Sequence, residues 1–208
     1  MQTTQGLLSQ LQGKKLLIFD FDGTVADTSP LHAAAFEKVL SPLGVAVHYP
    51  SIAGMKTADA ILRCVSTCSV DLSRDELNDL VAAKQKLVRE MIRTQLEPLP
   101  GVDRFLRWAR QHYRLSMATS GSRGTVGLAL EKLGYAQWFD PLVCAEDVEY
   151  AKPHPDAFEK VLAISDCSPE SALVFEDSDA GLLAAKAAKV DCVHIQEDSW
   201  IGFMEGLQ

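Results

Sequence analysis

The chain has 208 residues, of which 47% are hydrophobic, so one large or two small domains with a sizeable core fit its length. Its formal net charge of −8 argues against a nucleic-acid or anionic-membrane surface as the main partner, but leaves room for an anionic small ligand in a locally cationic pocket. The five cysteines are scattered, with no second ligand pair beside Cys64 and Cys68 to complete a zinc site, which points to free thiols in a cytoplasmic protein.

The first fifteen residues are polar and lack the apolar core of a signal peptide, and no stretch is apolar enough to span a bilayer. Residues 14–20 then read as a strand, because LLIF is the continuous apolar run of a parallel sheet covered on both faces. From residue 28 the pattern turns helical. Ser29-Pro30 opens a helix with Leu31, Ala34, Ala35, Val39 and Leu40 at helical spacing, and Gly44 stops it. KTADAILRCV is a second helix. A third opens on Ser73 with Glu76 three residues on, a capping box, and carries an apolar stripe from Leu77 to Ile92. Residues 28–96 are thus expected to be all-helical.

Two prolines and a glycine in EPLPGV mark a linker at 97–102. Strands return after it, alternating with helices: strands at 114–120, 141–145, 171–177 and 190–195, with helices starting near Arg123, Pro155 and Ser178. This alternation predicts a doubly wound parallel α/β sheet, a Rossmann-like core formed by residues 1–27 and 97–208, with the helical block 28–96 inserted as a second domain.

In such folds ligands sit beyond the carboxyl ends of the strands. The first strand ends in Asp20, with Asp22 just beyond. The next ends in Thr119-Ser120, and the strand near the C-terminus ends in Glu176-Asp177. Lys152 precedes a proline-started helix. Acids gathered at one edge would repel one another unless they held a cation, and carboxylates with a backbone carbonyl and water suit Mg²⁺. A cation, a lysine and a hydroxyl form a phosphate-holding set, in which one carboxylate serves as nucleophile and another as general acid and base.

The ordered segments DFDGTVADT, ATSGS, AKPHPDAF and VFEDSDAG resemble the four motifs of the haloacid dehalogenase-like (HAD) phosphohydrolase superfamily. The insertion after the first motif resembles its helical type-one cap. DTSPLH, EPLPGV and FEDSDAGLLAAKAA resemble its β-phosphoglucomutase and sugar-phosphate phosphatase branch. The resemblance implies Asp20 as the nucleophile that becomes an aspartyl-phosphate and Asp22 as the acid/base. It implies Mg²⁺ on the Asp20 side chain, the Asp22 carbonyl and Asp177, with Glu176 beside it. Thr119 then binds phosphate, with Ser120 next to it, and Lys152 screens Asp20 from the other acids and holds the phosphoryl group.

In the cap, His32 and Lys84 resemble substrate-facing positions, though a half-buried helix histidine and a solvated lysine fit them equally. Lys56 and Thr57 lie in the loop AGMKTAD, where the mutases carry an arginine that Thr57 replaces here. Lysine is a point charge and does not reproduce a bidentate guanidinium. The expectation is therefore a monomeric phosphatase of a small phosphomonoester such as a sugar phosphate, the alternative being a sugar phosphomutase. A catalytically silent binding domain would have lost Asp20, Asp22 or Lys152, and all three are present. The alanine and glycine run from Ala180 to Ala188 reads as close helix–sheet packing.

Overall fold

A computed structural model describes residues 4–53, 55, 57–68, 70–196 and 199–204. In chain order the elements are α1 (Thr4–Leu11), β1 (Leu16–Phe19), α2 (Ser29–Leu40), α3 (Thr57–Val65), α4 (Arg74–Gln95), α5 (Val102–Ala109), β2 (Arg114–Ala118), α6 (Arg123–Leu133), β3 (Leu142–Val143), α7 (Asp156–Ser165), β4 (Ala172–Glu176), α8 (Asp179–Ala187), β5 (Asp191–His194) and α9 (Ser199–Met204). They divide into two compact units, Met1–Asp27 with Glu97–Gln208, and Thr28–Leu96.

The first unit is built on a five-stranded sheet of order β3-β2-β1-β4-β5 with every pair parallel. The chain leaves β1 to build β2 and β3 on one side, then returns to place β4 on the other. That reversal makes the carboxyl end of β1 the topological switch point, where doubly wound sheets open a crevice. Leu16 pairs with Arg114 on β2 and with Ala172 on β4, and Phe19 with Met117 and Phe175, so the ends of all three strands are level.

Strand alternation divides the core in two. Leu16 and Ile18 face a cluster with Phe158, Val161, Val174, Ala184 and Ala185, drawn from α7, β4 and α8. Phe19 instead enters an aromatic layer, stacked on Phe175 at 4.8 Å and edge-on to Phe105 and Phe139. Each such fully buried side chain contributes roughly 2–3 kcal/mol of transfer free energy. Three helices in this unit, α1, α5 and α9, extend the sequence reading.

The second unit packs α2 and α3 on α4 around Phe36, Leu40, Ile52, Ile61, Cys64 and Val65. The capping box at the start of α4 is present: Ser73 Oγ accepts from Glu76 N at 3.3 Å, and Glu76 Oε2 accepts from Ser73 N at 2.9 Å. Helix α2 ends at Leu40, earlier than the glycine signal, because Ser41–Leu43 tightens into a 3₁₀ turn before Gly44. The five cysteines are free thiols, and only Cys64 and Cys144 are buried. No helix among the described residues is long and apolar enough to cross a membrane.

Candidate active site

Because the three strand ends are level, the residues that follow them meet. Asp20 continues β1 by donating its amide to Phe175 O at 3.0 Å, which holds its backbone rigid. The chain then closes a tight loop on itself: Val25 N donates to Phe21 O at 2.8 Å and Gly23 N to Ala26 O at 2.9 Å. Gly23 sits at φ +80°, and a Cβ there would overlap the Asp177 carboxylate. Glycine is therefore required twice over, for the turn and for the approach of the acid. Thr24, fully buried, donates its hydroxyl to Asp177 Oδ1 at 3.0 Å. Asp22 is half-buried in this loop, and its carboxylate lies toward Gly121.

Lys152 ties the strand ends together. Its ammonium donates to Asp20 Oδ1 at 2.6 Å, to Glu176 Oε2 at 2.6 Å and to Ala118 O at 3.0 Å. All three protons are thus engaged, one with the end of each strand. Glu176 Oε1 in turn accepts from Ser178 N and Ser178 Oγ at 3.1 and 2.7 Å. Ser178 also caps α8 by accepting from Gly181 N at 3.0 Å. A Cβ on Gly181 would overlap the Glu176 carboxylate. This corrects the reading of the Ala180–Ala188 run as packing alone, since Gly181 makes room for a site carboxylate.

Thr119 is buried beyond β2, its hydroxyl oxygen accepting from Gly121 N at 3.0 Å, whereas Ser120 beside it is exposed. The loop leading to Lys152 is anchored by Arg123, which ion-pairs with Asp147 and donates to Leu142 O at 3.0 Å. The sequence reading marks Arg123 and Ser178 only as helix starts and Thr24 only as part of the first motif segment, not as site residues. The only available signal was their position within or beside the motif segments.

Three carboxylates, Asp20, Glu176 and Asp177, face one ammonium, and they offer oxygens that lie within 4.8 Å of one another. Burial, opposed by Lys152 and reinforced by Glu176 and Asp22, pushes Asp20 up to about 8. Burial and Glu176 also raise Asp177. Burial alone would depress Lys152, but Asp20 and Glu176 outweigh it and raise the ammonium above its ordinary value. The site thus holds more negative charge than its lysine neutralises. A divalent cation, with metal–oxygen distances near 2.1 Å for a small ion, fits both the spacing and the charge deficit.

The residues expected in the helical block lie in the second unit. Lys84 is buried rather than solvated: its ammonium donates to His32 Nδ1 at 2.9 Å and lies 4.4 Å from the centre of the Phe36 ring. His32, half-buried, is held neutral, its value lowered to about 4 by burial and the Lys84 charge. Thr57 is half-buried at the start of α3, and Lys56 lies outside the described residues.

The family model for haloacid dehalogenase-like hydrolases matches residues 17–195. Among curated relatives, the fructose-1-phosphate phosphatase YqaB of Escherichia coli is 34% identical over 184 residues, 86% of this chain and 95% of that protein. A phosphorylated carbohydrates phosphatase of Thermotoga maritima is 28% identical over 86% of this chain and 83% of its own length. Among solved structures, CbbY of Rhodobacter sphaeroides in complex with phosphate superposes with a TM-score of 0.73 at 28% identity, covering 86% of this chain and 84% of that one. Switch-point acids, a bridging lysine and a match over most of the length lead to one conclusion: the chain belongs to the haloacid dehalogenase-like hydrolase family.

Proposed function

We propose that the protein is a Mg²⁺-dependent phosphatase that hydrolyses a small sugar phosphate through an aspartyl-phosphate on Asp20. The observation that supports this reading is the Lys152 ammonium joining Asp20, Glu176 and the Ala118 carbonyl at the ends of three neighbouring strands. The names of the E. coli and T. maritima relatives support phosphorylated sugars as the substrate class.

In this reading Asp20 attacks phosphorus as its ester bond to the sugar oxygen breaks. Asp22 gives a proton to the departing oxygen. Water then attacks the aspartyl-phosphate, its proton passing to Asp22, and the phosphate leaves as Asp20 is regenerated. Asp20 and Asp177, with the Asp22 carbonyl and with Glu176 beside them, would hold Mg²⁺. When bound, the ion neutralises phosphoryl oxygens and favours the ionised form of Asp20. Lys152 holds Asp20 in place and offers positive charge to the phosphoryl group, and Thr119 and Ser120 supply hydroxyls. The helical unit is read as a cap, in which His32, Lys56, Thr57 and Lys84 recognise the sugar. The substitution Asp20→Asn should abolish Mg²⁺-dependent phosphate release while leaving the thermal transition in place, because the amide is nearly isosteric but cannot attack. Substantial turnover by purified D20N, or isomer exchange outpacing phosphate release in the wild type, would overturn the proposal.

A further inference from the structure

Two helices, α1 and α9, lie outside the 17–195 segment that the family model matches. They pack on each other, and α9 packs on α5. Leu7 and Leu11 of α1 and Trp200, Phe203 and Met204 of α9 are buried. The Trp200 ring lies 4.7 Å from that of Phe105 and 5.4 Å from that of Phe175, so it completes the aromatic layer beneath β1. Its one polar atom does something that packing does not require. Trp200 Nε1 donates to Thr24 O at 2.8 Å, in a fully buried contact between residues 176 positions apart.

Thr24 is the loop residue whose hydroxyl holds Asp177. The next residue, Val25, accepts from Leu99 N at 2.9 Å through its carbonyl, and Ala26 pairs with Pro98. The loop bearing Asp22 is thus gripped by Asp177 on one side and by the C-terminal helix on another. A buried carbonyl needs a donor, and an indole in a packed aromatic box supplies one with almost no freedom to move.

We infer that Trp200 is a positioning residue: α9, seated by α1, fixes the catalytic loop through the indole–Thr24 bond and, through the Thr24 hydroxyl, orients Asp177. The effect on activity rests on the phosphatase reading above. The effects on loop exchange and ion binding do not. Replacing Trp200 by Phe keeps an aromatic ring and removes the N–H. Replacing Phe203 by Leu loosens the same helix and leaves the hydrogen bond intact.

In Trp200→Phe, hydrogen exchange at residues 22–26 should quicken about fivefold. Calorimetric Mg²⁺ affinity of the unloaded protein should weaken about threefold, and kcat for phosphate release should fall roughly three- to tenfold with KM little changed, the range expected for one lost hydrogen bond. In Phe203→Leu the melting temperature should fall while these three quantities stay at wild-type values. A wild-type measurement stands beside the variants, in case Trp200→Phe does not fold. The Trp200 indole N–H should exchange more slowly than those of Trp108 and Trp138 and should shift when Mg²⁺ is added. Equal behaviour of the two variants, or a freely exchanging Trp200 indole, overturns the inference. If the wild type releases no phosphate but Trp200→Phe still speeds loop exchange and weakens ion binding, the phosphatase reading fails and the positioning role stands. If the wild type is active and Trp200→Phe matches it, the positioning role fails alone.

Discussion

Lys152 and Lys84, one in each unit, are both shielded from solvent beside polar partners, and the two sites are opposites. Lys152 in the α/β unit meets two carboxylates and a carbonyl, which raise its ammonium above the ordinary value. Lys84 in the helical unit meets a neutral imidazole and an aromatic face, and burial lowers it to about 8. A buried charge is tolerated when it is matched and costs stability when it is not. The first arrangement is therefore integral to the fold of its unit. The second meets no opposite charge in its described contacts, so it is held at a cost to stability.

The sharpest way to break this contrast is Lys152→Met. It leaves Asp20 and Glu176 facing each other without a cation, so it should destabilise the protein by about 3 kcal/mol in metal-free buffer. It should also lower phosphate release by roughly 10²–10³-fold, the scale for losing one preorganised charge donor. Denaturant titration and a phosphate-release assay read the two effects. A variant as stable as wild type would mean that the acids do not depend on the lysine.

Gly181→Ala brings Lys152 closer to the situation of Lys84 without touching it. Alanine normally stabilises a helix over glycine by about 1 kcal/mol. Here its Cβ would displace Glu176 from Lys152, so a net loss of about 1–3 kcal/mol is expected, as for an overpacked core. Gly124→Ala in α6, where a Cβ meets nothing, is the matched control and should stabilise. Equal effects at the two positions would remove the steric argument for Gly181.

Lys84→Met should have the opposite sign to Lys152→Met. It removes an unmatched charge and keeps the volume, so stability at pH 7 should rise by about 1 kcal/mol. Under the cap reading, kcat/KM for the sugar phosphate falls while hydrolysis of acetyl phosphate is unchanged. A variant less stable than wild type would show that the Lys84–His32 bond outweighs the burial of the charge.

A pH slope sharpens the same contrast. The unfolded chain keeps the Lys84 proton up to about 10.5, whereas the folded chain releases it near about 8. Between those values the unfolded state binds more protons, so this group's contribution favours folding as pH rises and is lost again as pH falls through about 8. The stability difference between wild type and Lys84→Met should therefore shrink from pH 7.5 to pH 10. A constant difference across that window would place the Lys84 proton at its ordinary value in the fold.

Much of this was legible in the chain itself. Continuous apolar runs such as LLIF and ALVF specify buried parallel strands, because only a strand covered on both faces is apolar at every position. The spacing of Ser73 and Glu76 specifies a helix start, because a capping box needs only residues three apart. Asp20, Thr119 and Glu176 fell at strand ends, where the β-α alternation alone predicts a site. These features are local or periodic, so their physics is complete within a few residues. The short helices α1 and α9 were not legible, since their faces are defined only by what they pack against, whereas α5 carries Val102, Phe105, Leu106 and Ala109 at helical spacing after Gly101 and was legible but not read.

Tertiary structure alone decided the partnerships. Lys152 reaches Asp20 across 132 positions and Trp200 reaches Thr24 across 176, distances set by the strand order rather than by any pattern along the chain. It also decided that Lys84, on a helix whose neighbours Ala83 and Gln85 are exposed, points into its unit's interior. A sequence specifies which residues seek burial or charge compensation. Which group provides that compensation depends on the fold, because a buried charge is matched by whatever the sheet and helices bring within about 3 Å of it.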